Sequence, residues 1–262
     1  MIADGTVKLL MQWFIAYADS FSSEDPDIQF NLTLKKDHTL RVVENTIAIA
    51  TALELPKSEQ NIARVIALIH DVGRFEQYAH YKTFIDRDSV DHALLSIDIL
   101  REVAVLEPLE THDRELILTA IEHHNQAVVP DSLTERERFF CRLLRDADKL
   151  DIMRMLIERY RTAAQDAKGA IELLLPQGEG ISPEALADLM SGTIVKFSHV
   201  QKANDLKLLQ MAWVFDMNFI PSLRIFKEHG YLEALRDALP KTEEVMRAYE
   251  FVKAEMEKRA GM

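Results

Sequence analysis

The chain holds nine histidines, and several fall beside acids at positions that suit metal chemistry. His38 stands alone, His70 and Asp71 are adjacent, His92 follows Asp91, His123 and His124 are adjacent, and Asp148 lies between Asp146 and Asp151. Imidazole nitrogens bind divalent transition metals, while carboxylates compensate charge and can bridge two ions. Neutral histidine with ionised aspartate would hold a cation and leave it Lewis acidic, so that water beside it loses a proton near neutral pH. An adjacent His-Asp pair suits this at the end of a helix. Consecutive helical side chains diverge by ~100°, and both reach one point only where the backbone turns away. A buried carboxylate without a cation is costly, which separates Asp71 from an ordinary core residue. His80, His112, His199 and His229 are read as surface or hydrogen-bonded residues.

Helices must carry these groups, because the periodicity is helical nearly everywhere. Val7, Leu10, Met11, Phe14, Ile15 and Ala18 recur at three and four and describe an opening helix. The stretch from Ser20 to Asp27 reads as a loop. A second helix is expected from about Asp37 to Leu53 with His38 in its first turn, and a third from Ser58 to about His70, stopped by Gly73. Asp88 or Ser89 caps a fourth, with His92 in its first turn. A fifth runs from about Thr111 to His124. Ser132 and Glu135 read as a capping box for a long sixth helix through about Ala164, which carries Asp148. Residues 169–183 form a connection, and two or three helices follow, broken near Pro221, Gly230 and Pro240. The expected fold is all-α: a helical core over residues 1–168, and a C-terminal helical extension over 169–262 packed on it. A bundle of this kind can aim imidazoles and carboxylates from several helices into one interior cavity.

Composition narrows the function. The chain is 48% hydrophobic and 28% charged, which is ordinary for a globular protein. Its formal net charge of −12 is a poor match for polymeric nucleic acid or anionic lipid, and leaves room only for a local basic pocket. The apolar stretch from Leu9 to Ala18 is interrupted by Gln12 and is well short of the ~20 residues that span a bilayer. It carries no basic leader or cleavage site, so neither a membrane segment nor an export signal is expected. Cys141, the single cysteine, can form no internal disulfide, and a cytoplasmic location is the natural reading.

In order and context these residues resemble the HD superfamily of metal-dependent phosphohydrolases. His38-Thr-Leu-Arg41-Val is similar to the family's first motif. Leu68-Ile-His-Asp-Val-Gly73-Arg74 is similar to its His-Asp-hydrophobic-Gly-basic signature, and Ala147-Asp148-Lys149-Leu150 to its closing motif. The resemblance covers roughly Asp37 to Ile152. It implies an HD-type helical core and one ion held by His38, His70, Asp71 and Asp148. Asp91-His92 and His123-His124 fall where binuclear members carry extra ligands. Asp71 would then bridge to a second ion held by His92 and by His123 or His124, with His123 preferred because one helix end rarely directs both rings to one ion. Asn125-Gln126-Ala127 departs from the branch that hydrolyses cyclic di-GMP.

The activity implied is metal-assisted hydrolysis of a small phosphorylated metabolite or nucleotide, with one or two ions among Mn, Fe, Co, Ni, Zn and Mg. Arg41, Arg74 and Lys149 are candidates to grip the phosphate, and Glu122 to orient a water or a ligand ring. The aromatic stretch from Phe75 to Phe84, with Tyr78 and Tyr81, could wall the pocket. Two rivals remain: a di-iron HD-type oxygenase, and a helical module that binds a nucleotide or protein partner without turnover. A homodimer is compatible with the sequence, although nothing specific signals one.

Overall fold

A computed structural model describes residues 2–162, 175, 176, 178 and 180–261. Every regular element among them is helical. The chain divides into two units, Met1–Asp148 and Lys149–Met262. The boundary expected at residues 168 and 169, most of the connection over 169–183, and the last two residues of the expected sixth helix lie outside the described residues.

The first unit is organised around helix α3 (Lys57–Ile69), whose last nine residues include eight that are buried. It packs against α1 (Asp4–Asp19), α2 (Pro26–Ala52) and α6 (Thr111–Glu122). Side chains this apolar on nearly every face require cover all round, so α3 becomes the axis of the unit. Phe14, Tyr17 and Phe21 meet Phe75 edge-on or tilted, with centroids 5.9–6.1 Å apart. Asn45 on α2 donates to the Ala147 carbonyl at 3.1 Å, which ties α2 to α7 (Glu135–Thr162) one residue before Asp148.

Several boundaries differ from the sequence expectation. Helix α2 starts eleven residues before Asp37. Asp25 caps it by accepting from the amides of Asp27 and Ile28, and Pro26 occupies the first turn, where its missing N–H costs nothing. Gly73 does not end the chain's helical run but opens α4 (Gly73–Tyr81). Asp91, rather than Asp88 or Ser89, caps α5 (His92–Glu102). The capping box of α7 is Thr134 with Glu137, two residues beyond the expected pair: the Glu137 carboxylate accepts from the Thr134 amide at 2.8 Å, and the Thr134 hydroxyl accepts from the Glu137 amide.

The join between α3 and α4 has a physical cause. His70 and Val72 both keep helical backbone angles, but the amides of Val72, Arg74 and Phe75 bond three residues back, to Ile69, Asp71 and Val72. This tighter winding turns the chain sharply without an extended residue. Gly73 then lies directly against α5. A Cβ there would meet the His92 carbonyl oxygen at 2.5 Å and the Ser96 amide nitrogen at 2.7 Å. The Ser96 hydroxyl fills the junction, accepting from the Gly73 amide and lying 2.8–2.9 Å from the carbonyls of His70 and His92.

The second unit contains α8 (Pro183–Met190), α9 (Ala203–Asp216), α10 (Ile220–Glu228), α11 (Tyr231–Asp237) and α12 (Glu243–Ala260), more helices than the two or three expected. Pro221 sits in the first turn of α10, and Gly230, in the left-handed conformation, caps α11. Met217, Leu223 and Phe226 are buried core residues, whereas Ile220 is exposed. Asp205 is fully buried and accepts from the backbone amides of Ser182, Gln201 and Lys202 and from the Ser182 hydroxyl.

Because the Gly73 contacts are backbone atoms that cannot swing aside, Gly73→Ala should cost about 1–3 kcal/mol or more. The check is the urea midpoint, which should fall while the helical circular dichroism of the native state is retained.

Candidate metal centre

The turn at 70–73 delivers His70 and Asp71 into the interior of the first unit, where α2 brings His38 and α7 brings Asp148. His38, His70, Asp71, His92 and His124 are all buried, and Asp148 is half-buried. Asp71 is the centre of the arrangement, and its two oxygens face different partners. Oδ2 lies 3.7 Å from Nε2 of both His38 and His70. Oδ1 lies 3.4 Å from Nε2 of His92 and 3.8 Å from Nε2 of His124. Asp148 Oδ1 completes the first set, 3.1 Å from His38 Nε2 and 3.9 Å from His70 Nε2. Atoms that share one ion at bond lengths of ~2.1 Å stand ~3.0–3.4 Å apart in octahedral or tetrahedral arrangements. The observed spacings are close to that range.

Hydrogen bonds on the far side of each ring decide which nitrogen is presented. His70 Nδ1–H donates to the Ala67 carbonyl at 2.8 Å, and His124 Nδ1–H donates to the Ile121 carbonyl at 2.7 Å. His92 Nδ1–H donates to Asp86 Oδ2 at 2.6 Å. In each neutral ring the lone pair is therefore on Nε2. His70 Nε2 and Asp71 Oδ1 are buried without a hydrogen-bond partner. The Nε2 atoms of His92 and His124 face one another at 3.0 Å. Two imidazole nitrogens held that close in a buried site fit a shared cation, or one proton bridging them. The donor set of four imidazoles and two carboxylates suits a transition metal better than a hard, oxygen-seeking ion such as Mg²⁺.

Electrostatics keep the two carboxylates ionised, and burial disfavours the charged forms of His70 and His92. Burial alone would push the Asp71 carboxyl up, but the Lys35 ammonium, the neighbouring imidazoles and Arg74 hold it well below the usual range. For Asp148 the same upward effect of burial is outweighed by the hydrogen bond and charge of His38. Burial drives the His70 ring down to about 4, against the attraction of Asp71 and Asp148. It also lowers His92, where the bond to Asp86 opposes it.

The supporting residues are partly those expected and partly not. His124, not the preferred His123, joins the cluster. His123 caps α6 and lies near Glu137, because the chain leaves the helix there and aims only the second ring inward. Glu122 is exposed at the end of α6, and the carboxylate that orients a ring is Asp86. Arg74 does face Asp71, with Nε 3.6 Å from Oδ1, but its Nη1 is committed to Gln77, the Phe84 carbonyl and Asp86 at 2.7–2.8 Å. It fixes the loop before His92, together with buried Gln77, which donates to Asp86, Ser89 and the Val90 carbonyl. Lys149 forms an ion pair with Asp216 inside the second unit, rather than standing open to a phosphate. Arg41 lies half-buried one turn beyond His38. Of the aromatic stretch, Phe75 is core and Tyr81 is exposed, while Phe84 stacks on Tyr78 beside Lys35.

Two further residues carry no signal in the motifs. Lys35 places its ammonium 3.2 Å from Asp71 Oδ2. Buried Arg145, one turn before Asp148 on α7, donates to the carbonyls of His124, Gln126 and Ala127, and so ties the loop bearing His124 to the helix bearing Asp148.

Helices that converge imidazoles and aspartates on a buried carboxylate in this way could hold a divalent metal ion. Residues 36–153, just under half of the chain, match the HD domain family model, which supports an HD domain in this segment. HD domains form a superfamily of metal-dependent phosphohydrolases, and the matched segment contains His38, His70, Asp71, His92, His124 and Asp148. No curated protein and no solved structure matches the chain. No helix among the described residues is long and apolar enough to cross a membrane.

Two outcomes follow from this geometry. The His70 ring titrates near 6.5 when unfolded and about 4 when folded, so the metal-free protein keeps its full stability above the first value. It loses stability as pH falls from there towards 4, by about 2 kcal/mol between pH 7 and pH 5, measurable as a drop in urea midpoint. Asp86→Asn removes the carboxylate that orients His92 and should weaken metal retention by ~10–100-fold in a chelator competition.

Proposed function

We propose that this protein is a metal-dependent phosphohydrolase that acts on a small phosphorylated metabolite or nucleotide. The observation that carries the reading is the split of Asp71 between two imidazole sets, one oxygen facing His38, His70 and Asp148 and the other facing His92 and His124. On this reading His38, His70, Asp71 and Asp148 would hold one ion, and Asp71, His92 and His124 would hold a second. When bound, divalent cations supply Lewis acidity, which makes water acidic enough to attack phosphorus at neutral pH and neutralises charge on phosphoryl oxygens.

The protein's own residues do the rest by position. Nδ1–H donation to the Ala67 and Ile121 carbonyls and to Asp86 fixes three imidazoles with Nε2 turned inward. Ionised Asp71 and Asp148 supply the negative charge that such a centre needs. Arg74, Gln77 and Asp86 hold the His92 side of the site still, and Arg145 does the same for His124. A site organised beforehand in this way costs little reorganisation during reaction.

Metal-loaded protein should release inorganic phosphate from at least one member of a panel of phosphomonoesters and phosphodiesters, with no oxygen consumed. Oxygen uptake without phosphate would replace this reading by the oxygenase one, and ligand binding with neither product would replace it by a binding module. Asp71→Ala removes the bridging carboxylate and several kcal/mol of charge stabilisation, so turnover should fall by about 10³-fold or more. The helical circular dichroism should survive. Full activity in that variant overturns the assignment of the site.

A further inference from the structure

Lys35 lies one turn before His38 on α2 and one residue outside the segment that matches the family. Its ammonium has one carboxylate partner among the described residues, Asp71 Oδ2 at 3.2 Å, and stands 5.3 Å from the centroid of the Phe84 ring. Phe84 is itself fixed, stacked on Tyr78 at 4.6 Å and tethered through its carbonyl to Arg74. The Lys35 side chain retains 15% exposure, three times that of the Asp71 side chain, so it is not sealed in the interior.

Charge makes this placement informative. Asp71 Oδ2 is also the oxygen that faces His38 and His70. A cation held by those rings would claim the same oxygen, and the ammonium would then face positive charge with its counter-ion withdrawn. A second ion beside His92 and His124 adds to that excess. Arg74 cannot relieve it, being balanced by Asp86, and Lys149 is paired with Asp216. An anion must complete the site, and a lysine is a point-charge partner for phosphate oxygens.

We propose that Lys35 binds the phosphoryl group of the substrate: with metal at Asp71, its ammonium turns to a non-bridging phosphoryl oxygen, which selects a phosphate dianion such as a phosphomonoester. This rests on the phosphohydrolase reading and names the residue and substrate charge for that same site. Lys35 supports Asp71 in the metal-free protein, and with metal bound its contact would be to the substrate, which makes it a catalytic residue there.

The test uses full-length protein loaded with Mn²⁺ and inorganic phosphate as the probe, read by calorimetry, alongside metal content. Lys35→Met keeps the apolar stem against Phe84, and Lys35→Gln keeps a polar end. Both should retain metal at least as well as wild type, because a like charge has been removed, and both should bind phosphate at least tenfold more weakly. Lys35→Arg should recover part of that loss. With a hydrolysed phosphomonoester in hand, KM should rise in Lys35→Met and its pH profile should keep its shape. Wild-type affinity for phosphate in either folded uncharged variant overturns the proposal and leaves the phosphohydrolase reading standing. A loss of phosphate affinity that only follows a loss of metal also overturns it, since Lys35 would then be a structural partner of Asp71. If the loaded wild-type protein neither binds phosphate nor releases it from any ester, the broader reading falls too.

Discussion

One buried carboxylate sets the terms for the rest of the first unit. Asp71 is 4% exposed, stays ionised, and has an oxygen without a hydrogen-bond partner. An ionised carboxylate in an apolar interior is tolerated only if charge and directed donors surround it on every side. Much of the surrounding architecture meets that requirement. The ammonium of Lys35 and the guanidinium of Arg74 flank it, one towards each oxygen, and four imidazoles close around it. These groups come from α2, from the α3–α4 junction, from the start of α5 and from the end of α6, so four parts of the unit are bound to one another through a single anion.

The helix geometry follows from delivering that anion. His70 and Asp71 are neighbours in sequence and would diverge on a continuing helix. The switch to three-residue hydrogen bonds at the end of α3 lets both side chains reach one volume. The turn is tight enough that α4 starts against the backbone of α5, and only a residue without a side chain fits at Gly73. The Ser96 hydroxyl joins the three chain segments at that point, so the positions of His70, Asp71 and His92 are set together. Further out, Gln77 and Arg74 fasten the loop that precedes His92, and Arg145 fastens the loop that contains His124. The cluster is held mainly by backbone carbonyls and buried side chains, which vary little in position.

How much of this could be read from the chain depended on the kind of signal. Residue order was enough to find His38, His70, Asp71, His92 and Asp148 as one group, because each lies beside a helix end or in a motif with distinctive neighbours. The choice between His123 and His124 was beyond periodicity, since it depends on where the last turn of α6 unwinds. Lys35 was missed because the acidic, proline-containing stretch before it read as loop. With α2 beginning at Pro26, the lysine falls three residues before His38 on the same helix face, a relation plain only once the helix is given its full length. Asp86 and Arg145 act through bonds across 6 and 21 residues, to a ring and to a carbonyl, and no local pattern reports such contacts. The helical class was legible throughout, while caps moved by two or three residues because several Asp, Ser and Thr side chains competed for each helix start.

The opposed nitrogens of His92 and His124 have a consequence that reaches beyond catalysis. The two nitrogens stand 3.0 Å apart, each ring pinned from behind, so the fold devotes part of its order to a place for one electrophile between them. A cation bound there would favour the ordered chain over the unordered one, which has no such arrangement to offer it. An ion at a hundred times its dissociation constant would add about 2.7 kcal/mol to the native state by mass action. The supply of that ion would then bear on the stability of the fold as well as on its chemistry.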